Sequence, residues 1–184
     1  MSKKLIVRIV LRLLPVGALF LPLGTLSINL IIKKDTSYNI VELVKSLFSD
    51  NSGTELLLKL METESMAAAR AWMVVTAAGL VLSILAILAG LALVYFGKVK
   101  LLGASAAVYG AGTLGGVAAV TGFMLFGAEL AEALRNIATA SVNIGAYVMV
   151  AALLVNLIVC LAQWRGEKEK ARLAALAKKQ RKKR

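Results

Sequence analysis

Four apolar stretches, at roughly 13–32, 71–96, 101–126 and 137–164, constrain this chain more than anything else in it. A helix needs ~20 residues to cross a ~30 Å hydrocarbon layer, and each stretch has that length. Lipid offers the backbone no hydrogen-bonding partner, so runs of this kind are expected to be helical. The expected fold class is an all-α integral membrane protein: a four-transmembrane-helix bundle with a small helical extracytoplasmic lobe and a basic cytoplasmic C-terminal helix. With 184 residues, 59% of them hydrophobic, the chain has no room for a separate soluble catalytic domain.

The expected organisation places the cytoplasmic N-terminus and first span in 1–32, an outer amphipathic lobe in 33–70, the second span in 71–96 and an inner hairpin in 97–100. The third span follows in 101–126, a short outer loop in 127–136, the fourth span in 137–164 and a basic cytoplasmic tail in 165–184. The first span has two possible starts. It begins at Leu5, with Arg8 and Arg12 snorkelling, or at Leu13, with both arginines outside the hydrocarbon. Lys3, Lys4, Arg8 and Arg12 ahead of an apolar run imitate a signal peptide. No small-x-small site follows, and Pro15 and Pro22 interrupt the run, so a retained helix is expected.

Charge sets the orientation. The N-terminal dozen residues carry four Lys or Arg, the hairpin carries Lys98 and Lys100, and the tail carries ten more, against six in the other joining segments. The positive-inside rule then puts both termini and the hairpin in the cytoplasm. Trp72, Tyr95 and Trp164 fall near span ends, where aromatic side chains anchor helices.

Several chemistries are disfavoured. There is no His, and the lone Cys160 has no partner for an internal disulfide. No Asp, Glu or Lys lies mid-span, which counts against a proton- or ion-coupled carrier. No catalytic, cofactor-binding or metal-ligating residue is expected, no cofactor, and no enzyme activity.

Packing signals are stronger. Gly103, Ala107, Ala111, Gly115 and Ala119 recur every four residues in the third stretch, with Gly112 and Gly116 forming a GxxxG ridge beside them. Small residues let helix backbones approach where lipid supplies no hydrophobic drive, so this helix is expected at the centre of the bundle. Gly79, Ser83, Ala86 and Gly90 offer a complementary face. Asn143 and Asn156 are the amides that most need partners.

In the outer segment, Ile40, Val44, Leu47 and Phe48 make one helical apolar stripe, and Leu57 and Leu60 belong to a second. These stripes can pack on each other and the span ends, lie on the leaflet, or bind a partner. Lys178, Lys179, Arg181, Lys182, Lys183 and Arg184 end the tail, and are expected to contact anionic lipid. An acidic protein is the next choice. Nucleic acid is not expected, since no aromatic residues are interleaved to stack bases.

This layout of long first outer segment, tight inner hairpin, short second outer loop and inner tail resembles the four-span plan of claudin-like proteins. The resemblance covers topology alone. The first outer segment contains neither Trp nor Cys, where the claudin pattern has a Trp-rich motif and a cysteine pair, so no residue role is carried over.

The functional expectation is a structural or accessory four-span membrane subunit that binds other membrane proteins or itself through its outer lobe and small-residue faces. The alternative is an oligomeric channel or small permease component. Expected partners are membrane lipids, anionic lipid among them, and other membrane proteins or further copies of the chain. The expected location is a cell membrane, bacterial and cytoplasmic, crossed several times with both termini inside.

Overall fold

The computed structural model of the chain describes residues 3–29, 33–39, 66–95 and 100–181. In chain order these form helix α1 (Lys3–Ala18), strands β1 (Gly24–Asn29) and β2 (Lys33–Tyr38), helices α2 (Ala67–Tyr95) and α3 (Lys100–Ala133), strand β3 (Ala138–Val142) and helix α4 (Ile144–Arg181). The described chain is mostly helical, and α2, α3 and α4 are each long and apolar enough to cross a membrane. Val74, Val81, Leu85, Leu88, Leu114 and Ile158 are all more than half exposed on them. An outer surface of that chemistry suits hydrocarbon, and it marks a membrane-embedded protein.

The first apolar stretch does not form one helix over 13–32. Helix α1 has 16 residues, about 24 Å at 1.5 Å per residue, with Pro15 inside it. It ends in tight turns, Leu19 N donating to Val16 O and Phe20 N to Gly17 O, both at 3.2 Å. Pro22 then has no N–H with which to continue the helix. From Gly24 the pattern changes period. Leu26 and Ile28 alternate with Thr25, Ser27 and Asn29, which sorts apolar side chains to one face of a strand and polar ones to the other.

That strand is the centre of a three-stranded antiparallel sheet of order β2-β1-β3. The chain is therefore not all-α. Its register aligns Tyr38, Gly24 and Val142 in one row, and Thr36, Leu26 and Ala140 in a second row on the same face. Between them runs the row Ser37, Thr25 and Ser141, facing the other way. Thr25 Oγ1 and Ser37 Oγ are 3.1 Å apart.

Other expected boundaries also move. Within 33–70, Lys33–Tyr38 is a strand and not part of a helical lobe, and α2 already begins at Ala67. In place of a loop at 127–136, α3 runs on to Ala133 and is closed by a left-handed turn. Arg135 and Asn136 have φ of 48° and 62°, and Asn136 N donates back to Ala131 O at 2.7 Å, a Schellman-type cap. The stretch 137–164 opens with β3, because Ala138, Ala140 and Val142 alternate with Thr139 and Ser141. Its helix starts only at Ile144. At the far end α4 continues unbroken into the basic segment as far as Arg181.

The strands tie the start of the chain to its end. Leu23 N donates to Tyr38 O at 2.8 Å, Asn143 N to Leu23 O at 3.0 Å, and Gly145 N to Pro22 O at 3.0 Å. Gly145 N in the first turn of α4, and Asn143 N just before it, are thus met by the chain leaving α1. Around this tie, α3 packs along α2 and against α4, and α1 lies on α4 with little contact to α2. One apolar core, including Ile87, Tyr109, Met149 and Leu153, fills the middle of the bundle. A second, of Met66, Ala69, Phe126, Leu130 and Ala138, lies at the sheet end, with Trp72 packed on it.

Candidate functional site

The α2–α3 contact is close because it is made of glycine. A Cβ at Gly79 would run into the backbone of Gly115, and one at Gly115 would lie 2.8 Å from Gly79 O and 3.0 Å from Leu82 Cβ. Ser83 Oγ bridges the pair, 3.0 Å from Gly112 O across the seam and 2.9 Å from Gly79 O on its own helix. Gly112 faces Ala86 and Leu153, Gly116 faces Val150, and Gly103 faces the Trp164 indole. Ala107 and Ala111 are exposed, on the side of α3 that turns away from its neighbours. The four-residue spacing drifts around a helix of 3.6 residues per turn, so one stripe cannot hold a single face.

A polar cluster crosses the bundle on the far side of this seam. Asn156 Nδ2 on α4 donates to Leu11 O on α1 at 2.8 Å and to Ala152 O at 2.9 Å. One helical turn along, Cys160 Sγ receives Arg12 Nη2 at 3.7 Å. Arg12 is neither snorkelling nor outside the bundle: it is 6% exposed, with its guanidinium carbon 6.0 Å from the centre of the Tyr109 ring. The Tyr109 phenol occupies the space that a Cβ at Gly90 would need. Arg12 Nη1 and the Tyr109 hydroxyl have no hydrogen-bond partner among the described residues. This buried cation is invisible to a hydropathy reading, since α1 looks from its sequence like a span preceded by loose positive charge.

Beneath the sheet is a cavity of about 240 Å³. Its ceiling is the row Tyr38, Gly24 and Val142, with Leu23 beside it. Met73, Thr76, Ala77 and Leu80 of α2 form one wall, Ala119, Val120, Phe123 and Phe126 of α3 another, and Ala146 and Met149 of α4 the third. Gly24 makes the ceiling possible, because a Cβ there would lie 2.8 Å from the Phe123 ring. Among the described helix residues lining the cavity, Thr76 alone brings a hydroxyl, and it donates to Trp72 O at 2.8 Å. The alternation in Gly24–Asn29 and Ala138–Val142 is the sequence signal that points to this ceiling.

Of the other sequence-predicted residues, Ile40, Val44, Leu47, Phe48, Leu57 and Leu60 lie outside the described residues, as do Lys182, Lys183 and Arg184. Lys178, Lys179 and Arg181 are on the last helical turns of α4. Nearer the bundle, Lys168 Nζ sits 3.9 Å over the Trp164 ring. Among the described residues no three His, Cys, Asp or Glu side chains converge to hold a metal ion. No family model matches the chain, and no curated protein or solved structure matches it either.

Proposed function

We propose that the chain is a non-catalytic, four-span accessory membrane subunit that presents an outer platform to other membrane proteins or to further copies of itself. One observation carries this reading. Two segments far apart in sequence are joined in one sheet and bonded to the entry of α4, so the surface they present is held rigidly on the bundle. Its polar row, with Ser37 and Ser141 exposed, faces away from the helices. Strand β2 is the outer strand on its side among those described, and such an edge is where a further strand can add. In this reading α1 is the fourth span, both termini are cytoplasmic, the sheet is outside a bacterial cytoplasmic membrane, and the basic tail contacts anionic lipid.

The test is a photo-crosslinking residue at Ser37, compared with one at the lipid-facing Leu114, with native mass spectrometry of the gently extracted protein. A protein adduct of discrete mass from Ser37 alone, matching a complex seen intact, is the expected result. A monomer with lipid adducts only, from both positions, refutes the reading. The second reading, an oligomeric channel or small permease component, draws on Arg12, since a cation buried between spanning helices commonly serves transport. Vesicles containing the purified protein would then conduct anions, and Arg12→Met would abolish that flux.

A further inference from the structure

The cavity under the sheet has the size, lining and mouth of a binding site. At about 240 Å³ it exceeds the ~150 Å³ apolar cavity that stays dry and takes up benzene. Water filling it would need two or more polar partners per molecule, yet the side chains lining it offer only two hydroxyls, Tyr38 in the ceiling and Thr76 in the wall, and the Thr76 proton is already donated to Trp72 O. The natural occupant is apolar.

Position identifies its source. Met73 and Ala77 line the cavity and are also exposed on the outside of α2, whereas Met149 at the inner end is fully buried. The space therefore runs from the lipid-facing surface of α2 into the middle of the bundle. Around its mouth, Val74 and Val81 are more than half exposed, so the approach is through hydrocarbon. Arg70 is exposed one turn nearer the sheet end on the same stripe, since positions 70, 73 and 77 share one helical face. A cation at that height above an apolar mouth matches the phosphate of a lipid whose chain has entered.

We infer that the cavity takes one acyl chain of a phospholipid from the leaflet on the sheet side, with Arg70 holding its phosphate. The inference does not depend on the accessory-subunit reading or on which compartment the sheet faces. It makes the wall of α2 and the ceiling Tyr38–Gly24–Val142 a lipid-specific site, distinct from the general hydrocarbon contact of the outer helix faces.

The experiment places the purified full chain in vesicles of phosphatidylethanolamine and phosphatidylglycerol, the latter carrying a mid-chain diazirine. After photolysis, peptide mass spectrometry reads which residues are labelled. Labelling of the buried Met149 in the unmodified protein is expected, because annular lipid reaches Val81 and never Met149. Absence of label at Met149, with Val81 labelled, overturns the inference. Ala77→Phe at the mouth should remove Met149 labelling and leave Val81 labelling as before; persistence at Met149 overturns the proposed route. Arg70→Glu should lower Met149 labelling by phosphatidylglycerol about fivefold. An unchanged yield overturns the headgroup contact. A diazirine fatty acid that labels Met149 where the phospholipid does not would overturn the phospholipid as source.

Discussion

Two seams in this molecule hold helices together by different physics. Between α2 and α3 the seam is steric: Gly79 and Gly115 bring backbones into contact, and Ser83 bonds across it. Between α1 and α4 the seam is polar: Asn156 reaches the Leu11 carbonyl and Arg12 reaches Cys160. The difference follows from what each helix offers. Helix α2 is 29 residues long and α3 is 34, so dispersion summed over many close contacts suffices where small residues permit approach. Helix α1 has 16 residues interrupted by Pro15. Its shorter contact is supplemented by the Asn156 hydrogen bond, which is worth more away from water.

The largest effect is expected from Gly115→Leu, which drives a branched side chain into the Gly79 backbone. It should destabilise the bundle by ~3 kcal/mol, as overpacking does, with Gly115→Ala costing less, read from unfolding in mixed detergent micelles. A polar seam predicts a different signature. Asn156→Leu keeps the volume and loses the bond to Leu11 O, and should cost ~1.5 kcal/mol, near the top of the range for such bonds in membranes. Cysteine accessibility at introduced positions on α1 should rise in that variant and stay unchanged in Gly115→Leu.

Arg12→Met removes the buried charge together with its hydrogen bond to Cys160. A buried guanidinium with an unpaired Nη1 is costly to hold. Its replacement by an apolar side chain should raise stability by ~1 kcal/mol in the same assay. A loss as large as that of Asn156→Leu would instead make Arg12 part of what binds α1. The smallest effect belongs to the sheet. Thr25→Val removes the oxygen that accepts from Asn143 Nδ2 at 2.6 Å and adjoins Ser37 Oγ, on a strand held by two ladders. About 0.5 kcal/mol is expected, with faster amide exchange in Gly24–Asn29 as the local readout.

Asn143 and Asn156, singled out in the sequence as amides needing partners, both have them. The partner of neither was legible, because Thr25 and the Leu11 carbonyl come from the opposite end of the chain. The ridge residues show the same division. Gly112, Gly115 and Gly116 are buried at contacts with neighbouring helices, whereas Ala107 and Ala111, equally small, are exposed. Size is written in the residue type; the facing neighbour is not.

Length and hydropathy by themselves determined that α2, α3 and α4 can cross a membrane, because the cost of unsatisfied backbone in lipid acts on each segment without reference to the others. Helix propensity likewise pointed to the continuation of α4 through the basic segment, whose residues are strong helix formers, as far as Arg181. Tertiary structure decided the rest. Gly24–Asn29 and Ala138–Val142 are apolar enough to be counted with the spans beside them, and are strands because Gly24–Asn29 pairs with both Lys33–Tyr38 and Ala138–Val142. Arg12 is buried only because α4 and α3 close over it. The cavity is lined by residues from the sheet and from three helices, which only the fold brings together. A sum of hydropathies weighs each residue alone, whereas pairing, burial and empty space are properties of residues brought together from distant parts of the chain.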